Sequence, residues 1–232
     1  VTIGGGGGIQ RLPGSYATGV PAEVLVVGSP PLAAARADPL LTAAERARCA
    51  AFRREVDAAR HATGRLLARS TAARWFGVAP ERVGVVPDLD ATSRGCPRLT
   101  VDGRRADAYL SIAHAGEVVL VAVSARPCGI DVEVVADVEP VVGSDVIYAP
   151  PELAALAAAQ DPVLLAARWW TAKESVLKAL EVGLGVDPPL IDVRRELVTV
   201  AVAPPYTSTR TTWRLHAVDV PAGHIATLAV PA

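Results

Sequence analysis

The stretch Ala59-Arg60-His61-Ala62-Thr63-Gly64-Arg65 returns 108 residues later as Ala167-Arg168-Trp169-Trp170-Thr171-Ala172-Lys173, with the Ala-Arg pair, the threonine and a closing cation retained. Gly77-Val78-x-Pro80 recurs at the same shift as Gly185-Val186-x-Pro188, and Val83-x-Val85 as Ile191-x-Val193. Gly116-x-Val118-x-x-Val121-Ala122-Val123 recurs as Gly223-x-Ile225-x-x-Leu228-Ala229-Val230, at a shift of 107. A chain of 232 residues written twice implies two halves of one design.

Each half reads alike. A short apolar strand opens it (24–27; 130–134). A short helix follows (42–54; 151–159), then a longer one. The first long helix is expected over 57–76, stopped by Gly77; the second starts with Asp161 as N-cap and Pro162 at the first helical position and stops near Gly183. Strands close each half (108–112 and 118–123; 213–218 and 225–230). The expected fold is α+β: a single-chain pseudo-dimer of two similar α/β halves, with the active site in the cleft between them. The boundaries read as a flexible Gly-rich tail over 1–20, an N-terminal half over 21–127 and a C-terminal half over 128–232. The Gly4–Gly8 run has no Gly-Lys-Ser/Thr after it and no strand before it, so it is not read as a phosphate loop.

The net charge of −1 gives no global attraction to nucleic acid or an anionic membrane, so any phosphate-binding patch must be local. No apolar run approaches the ~18 residues of a membrane span. Cys49, Cys96 and Cys128 are odd in number and not at metal-ligand spacing, and no signal-peptide pattern opens the chain. A cytoplasmic monomer without disulfides is expected.

Two segments of the second half carry the chemistry: Gly129-Ile-Asp-Val-Glu133 and Trp170-Thr-Ala-Lys-Glu-Ser-Val-Leu-Lys178. Asp131 and Glu133, two apart on a strand, leave the same face. Glu174 and Lys178, four apart, share a helix face. When the opening strands are matched at a shift of 106 and the long helices at 108, the first half has Leu25, Val27 and Leu66 where the second has Asp131, Glu133 and Glu174. Carboxylates are costly to bury unless paired or metal-bound, so the three acids are not there for packing. Hard oxygen donors without His or thiolate suit Mg²⁺, or Mn²⁺, together with a phosphate. Taken singly, an Asp-x-Glu strand end also reads as a solvated edge, and a Glu–Lys helical pair as a surface ion pair.

These motifs, with Leu110-Ser-Ile-Ala-His-Ala-Gly116 upstream, resemble those of the Sfp-type 4′-phosphopantetheinyl transferases of the holo-carrier-protein synthase superfamily. The resemblance runs over about residues 21–232 and implies the same pseudo-dimeric build. It implies transfer of the 4′-phosphopantetheine arm of coenzyme A to a serine of an apo acyl or peptidyl carrier protein, with release of 3′,5′-ADP, as in polyketide or nonribosomal peptide biosynthesis. By this resemblance Asp131, Glu133 and Glu174 hold Mg²⁺, and Glu174 takes the serine proton. Lys178 neutralises pyrophosphate charge, His114 meets the 3′-phosphate, Lys173 is a further coenzyme-binding residue, and Arg60 and Arg65, with Thr63 as a weaker candidate, face the coenzyme.

The chain departs from that pattern at Gly95-Cys96-Pro97, where many members have Gly-Lys-Pro, and at Ala113 and Ala115, which replace small hydroxyl residues. Arg94 or Arg98 is the candidate substitute for the lysine. The departures leave a second reading open: a catalytically weak coenzyme A- or carrier-binding module of the same fold. A third is a structural α+β protein with surface acids. The segment 134–148 reads either as a carrier-facing loop or as a solvated one.

Overall fold

The computed structural model describes residues 2–4, 8–10, 21–87, 96–182, 185–195, 197–201 and 210–232. Thr2–Gly4 (β1) and Gly8–Gln10 (β2) pair antiparallel as a ladder of their own; the rest of the expected tail lies outside the described residues. The strands of the main body are Val24–Ser29 (β3), Val83–Pro87 (β4), Pro97–Val101 (β5), Arg104–Arg105 (β6), Tyr109–Ala115 (β7), Val118–Ser124 (β8), Gly129–Val134 (β9), Leu197–Ala201 (β10), Arg210–Val218 (β11) and His224–Pro231 (β12). The helices are Ala43–Ala50 (α1), Glu55–Phe76 (α2), Pro150–Ala158 (α3) and Pro162–Ala179 (α4). The protein is a mixed α/β molecule of small antiparallel sheets, in strand orders β3-β8-β7, β4-β5-β6 and β10-β11-β12-β9.

Strand alternation divides the core. Val24, Val26, Ala113, Leu120 and Ala122 of the β3-β8-β7 sheet meet Ile130, Val132, Ala226, Leu228 and Val230 of the four-stranded sheet, so these two sheets face each other across an aliphatic layer. The opposite face of the first sheet (Leu110, Val119, Val121, Val123) is covered by Leu67, Ala68 and Ala72 of α2. The opposite face of the second sheet is covered by Ala172, Val176 and Leu177 of α4, which meet Trp213 and Ala229. Alanines line the buried side of α2, which brings its axis close to β8.

The helix ends follow their local chemistry. Gly77 ends α2 in a left-handed conformation at φ 66°, and the Val78 N–H returns to the Ala73 carbonyl. Asp161 Oδ1 accepts from the Leu164 N–H at 2.9 Å, with Pro162 behind it, as expected. Helix α4 stops at Ala179, earlier than expected, and the chain turns through Glu181 at φ 60°; Gly183 lies outside the described residues. Thr42 and Glu45 form a reciprocal capping box on α1. Glu45 also accepts from Arg65 (2.6 Å) and Arg69 (2.8 Å), which ties α1 to α2. Burial works against the Glu45 carboxylate, but these arginines and the Thr42 N–H outweigh it and hold its pKa at about 2.

Three expectations change. The repeat Val83-x-Val85 is a strand, whereas its counterpart Ile191-x-Val193 is buried but not paired in a sheet. Segment 134–148 is not an open loop: Val135–Val141 is a 3-10 helix, Val138 is buried, and the fully buried Tyr148 donates to the Ala166 carbonyl at 3.0 Å. The strand alignment also moves. Leu120 and Leu228 both face the sheet-to-sheet layer, so the closing strands do not match at the odd shift of 107, whereas an even shift such as the helices' 108 keeps their buried faces in step. Asp131 pairs with Thr227; its counterpart Val119 pairs with Ser29. On a shift of 108 the strand position that corresponds to Asp131 is Ser29, where the sequence alignment has Leu25, and β3 ends there. Among the described residues no helix is long and apolar enough to cross a membrane.

Candidate active site

Gly129 opens β9 against α4. A Cβ built there would stand 1.9 Å from the Ser175 carbonyl oxygen and 2.5 Å from the Ala179 nitrogen. Both are helix backbone and cannot swing aside, so only glycine lets strand and helix approach this closely. The approach brings Asp131 onto Lys178: Lys178 Nζ lies 2.6 Å from Asp131 Oδ1 and 3.2 Å from the Ile130 carbonyl. Gly129→Ala is expected to push α4 off β9, cost at least ~2 kcal/mol and disperse the acids, read as a lowered melting temperature together with lost activity.

Three carboxylates influence one another here. Asp131 is 5% exposed, its Oδ2 is buried without a hydrogen-bond partner, and burial pushes its pKa up despite Lys178. The Glu133 pKa is pushed up to about 7, by burial first, then by the charges of Asp131 and Glu174. That of Glu174 is also raised, by burial and then by Asp131. Among the described residues no three His, Cys, Asp or Glu side chains enclose a metal position as they stand; the Lys178 ammonium is the cation beside Asp131.

Two contacts that hold this cluster were not read from the sequence. Trp170 Nε1 donates to Glu133 Oε1 at 3.2 Å, and Thr171 Oγ1 lies 2.9 Å from Thr227 Oγ1, fastening α4 to β12. Both residues stand in the Trp170–Lys178 motif, and their position beside the acids was the available signal.

On the other side, His114 of β7 borders a cavity of about 620 Å³ lined also by Arg48 of α1, Arg60, His61, Gly64 and Arg65 of α2, and Ile112. The walls of the cleft, then the charges of Lys178 and Arg60, push the His114 pKa below its ordinary value. Strand β7 is joined to β9 by the Ile130 N–H, which donates to Ser111 Oγ at 3.0 Å, and His114 stands near enough for its charge to act on Asp131.

The arginines take different parts from those expected. Arg60 donates through Nε (2.9 Å) and Nη2 (2.6 Å) to the Gly116 carbonyl and through Nη1 to Asp57 (2.9 Å). It thereby clamps the β7–β8 turn, which lies so close to His224 and Val134 that a side chain at Gly116 would collide with both. Arg65 is held by Glu45 and the Val85 carbonyl. Both line the cavity, with these donors committed to the protein. Thr63 is buried, and its Oγ1 accepts from the Leu32 N–H at 2.8 Å.

Lys173 is the clear correction. It is fully buried, and its Nζ meets the Pro188 carbonyl (2.9 Å), the Ile191 carbonyl (2.6 Å) and Glu152 (2.8 Å). An ammonium with three partners inside the fold does not reach a phosphate. Arg98 is paired through both terminal nitrogens with Glu181, and Arg94 lies outside the described residues. Ala113 faces the sheet-to-sheet layer, so a hydroxyl there would not have reached the cleft. Cys49, Cys96 and Cys128 form no disulfide, and burial raises the thiol pKa of Cys49 and, to about 12, of Cys128.

A comparison with curated proteins finds no match. Residues 127–229 match the family model of the 4′-phosphopantetheinyl transferase superfamily, a span that contains Asp131, Glu133, Glu174 and Lys178. The chain therefore carries a domain of the 4′-phosphopantetheinyl transferase superfamily.

Proposed function

We propose that the protein is a Sfp-type enzyme, a pseudo-dimer of halves 21–127 and 128–232, that transfers 4′-phosphopantetheine from coenzyme A to the serine of an apo carrier protein. The observation that carries this reading is the nearness of two features: carboxylates on β9 and α4 that Lys178 only partly offsets, and a histidine- and arginine-lined cavity on α2 and β7 whose His114 acts on the Asp131 charge. In the reaction the serine oxygen forms a bond to the phosphorus that bears pantetheine. The bridging P–O bond of the pyrophosphate breaks, and adenosine 3′,5′-bisphosphate leaves. Glu174, whose raised pKa makes its carboxylate a better proton acceptor, takes the serine proton. Lys178 neutralises pyrophosphate charge, and His114 meets the 3′-phosphate at the cavity mouth.

The acids fit a hard divalent cation. The buried Asp131 Oδ2 has no partner, burial and the neighbouring carboxylates push the Glu133 pKa up to about 7, and all donors are oxygens. Asp131, Glu133 and Glu174 would hold Mg²⁺ (or Mn²⁺), which supplies charge stabilisation at the transferring phosphoryl group.

A pH dependence follows. The folded pKa of Glu133, about 7, lies above the ordinary 4.5, so protonation favours the metal-free fold. Its contribution is full below about 4.5 and is lost as pH rises through 7. Mg²⁺ must displace that proton, so its affinity should be about tenfold weaker at pH 6 than at pH 8. Thermal shifts with Mg²⁺ and coenzyme A at both pH values test this. Equal shifts would remove Glu133 from the metal set.

The decisive experiment incubates the protein with coenzyme A, Mg²⁺ and a panel of apo acyl and peptidyl carrier proteins and weighs the carriers. A phosphopantetheine mass gain on the serine is expected. Coenzyme binding with no mass gain on any carrier would instead establish the binding module, a reading favoured by the internal commitments of Arg60 and Arg65.

A further inference from the structure

The two flanks of α4 are unlike. One presents Glu174 and Lys178 toward β9. The other borders a second cavity, of about 630 Å³, lined by Arg168, Trp169 and Ala172 of α4, Leu215 and Ala217 of β11, and Arg195. The shift of 108 carries Arg60, His61 and Gly64 of the first cavity onto Arg168, Trp169 and Ala172. Strand pairing completes the match. Val121 pairs with Ile112 and its counterpart Ala229 with Leu215; Val119 pairs with His114 and its counterpart Thr227 lies beside Ala217. Five positions that line the first cavity thus line the second, and the volumes agree within a few per cent.

The second cavity also differs in charge. Where Arg60 is spent on the Gly116 carbonyl, Arg168 is exposed and its guanidinium makes no hydrogen bond or ion pair among the described residues, and the same holds for Arg195. Arg194 is tied to Asp192, and the Asp219 carboxylate, which has an interaction of its own, also borders the space. Two uncommitted guanidinium groups suit a phosphate through paired donors, and Trp169 in place of His61 adds an aromatic surface for a base.

We propose that this cavity is a second binding site, for a phosphorylated nucleotide, with adenosine 3′,5′-bisphosphate as the ligand its likeness to the first cavity implies. The choice of nucleotide rests on the coenzyme reading of the first cavity. This ligand carries no phosphopantetheine to transfer, so its binding is not followed by reaction; on the shift of 108, moreover, the positions of Asp131 and Glu174 hold Ser29 and Leu66, which offer no carboxylate for a metal. It is for the same reason independent of Mg²⁺.

Calorimetric titration of the full chain with adenosine 3′,5′-bisphosphate, with Mg²⁺ and again in chelator, tests the proposal. Two molecules per chain are expected, the second unaffected by chelator. Arg168→Ala with Arg195→Ala should remove that one while leaving carrier transfer within about twofold; exposed arginines of this kind rarely decide folding. His114→Ala should weaken only the other. One molecule per chain, sensitive to His114→Ala and indifferent to the arginine pair, would overturn the second site and leave the coenzyme reading standing. No binding under either condition would overturn both. Inorganic phosphate binding at the second site as tightly as the nucleotide would reduce it to an anion patch and also overturn the proposal.

Discussion

Asp131→Asn should abolish phosphopantetheinyl transfer, by at least ~10²-fold in rate, without lowering the melting temperature. The two halves of this expectation have separate physical causes. Transfer depends on negative charge converging with Glu133 and Glu174, and losing one group preorganised at developing charge typically costs ~10²–10³-fold. Stability does not depend on it, because the Asp131 carboxylate is 5% exposed, has one oxygen without a partner, and is held against its own desolvation. The amide is nearly isosteric and neutral, and Lys178, with its side chain 30% exposed, regains water when its partner loses charge. Glu174→Gln should behave alike. The checks are the carrier mass assay and a thermal melt on the same preparations. Transfer at the parent rate by either variant would remove that residue from the machinery. A large fall in melting temperature would show that the acids are structural.

The largest stability effect should come from a charge pair outside the cleft. Glu152 and Lys173 are both fully buried, 2.8 Å apart, and connect α3 to α4. Glu152 also accepts from the Ala149 N–H at the start of α3. Glu152→Ala leaves an ammonium in the core with only two carbonyls, and breaking a buried pair from one side costs ~3–5 kcal/mol. For a chain of this size that is a fall of roughly 6–20 °C in melting temperature. The double variant Glu152→Leu with Lys173→Met should recover most of it, since two apolar groups avoid the desolvation that the ions suffer. Transfer by the double variant should survive, because neither residue faces the cleft. A transfer loss with normal stability would return Lys173 to the coenzyme site.

Lys173 marks the limit of motif reading. It stands next to Glu174, yet adjacent residues on a helix point about 100° apart, and here one side is core and the other cleft. The Trp170–Lys178 motif thus carries two unrelated tasks: Trp170, Glu174 and Lys178 serve the acid cluster, while Lys173 holds α4 to the turns around Pro188 and Ile191. Arg60 and Arg65 were legible as residues near the cavity, but not as donors already committed to Gly116, Glu45 and Val85. Side-chain partners more than fifty residues away, such as Gly116 for Arg60, leave no local trace.

Strand and helix existence, the cap at Asp161, the stop at Gly77 and the same-face placement of Asp131 and Glu133 follow from the sequence by itself, because each depends on spacing within a few residues. The internal repeat is a reading of the sequence alone, and with it the expectation of matching sheets. Only the tertiary structure decided the strand register, which pairs Asp131 with Thr227 and Ser29 with Val119. It alone divided the cations between core, clamp and cavity, and it alone placed an equal cavity on the far flank of α4. The physical reason is the same in each case: hydrogen bonds between strands and the burial of charge are settled between segments distant in the chain, where composition and periodicity carry no information.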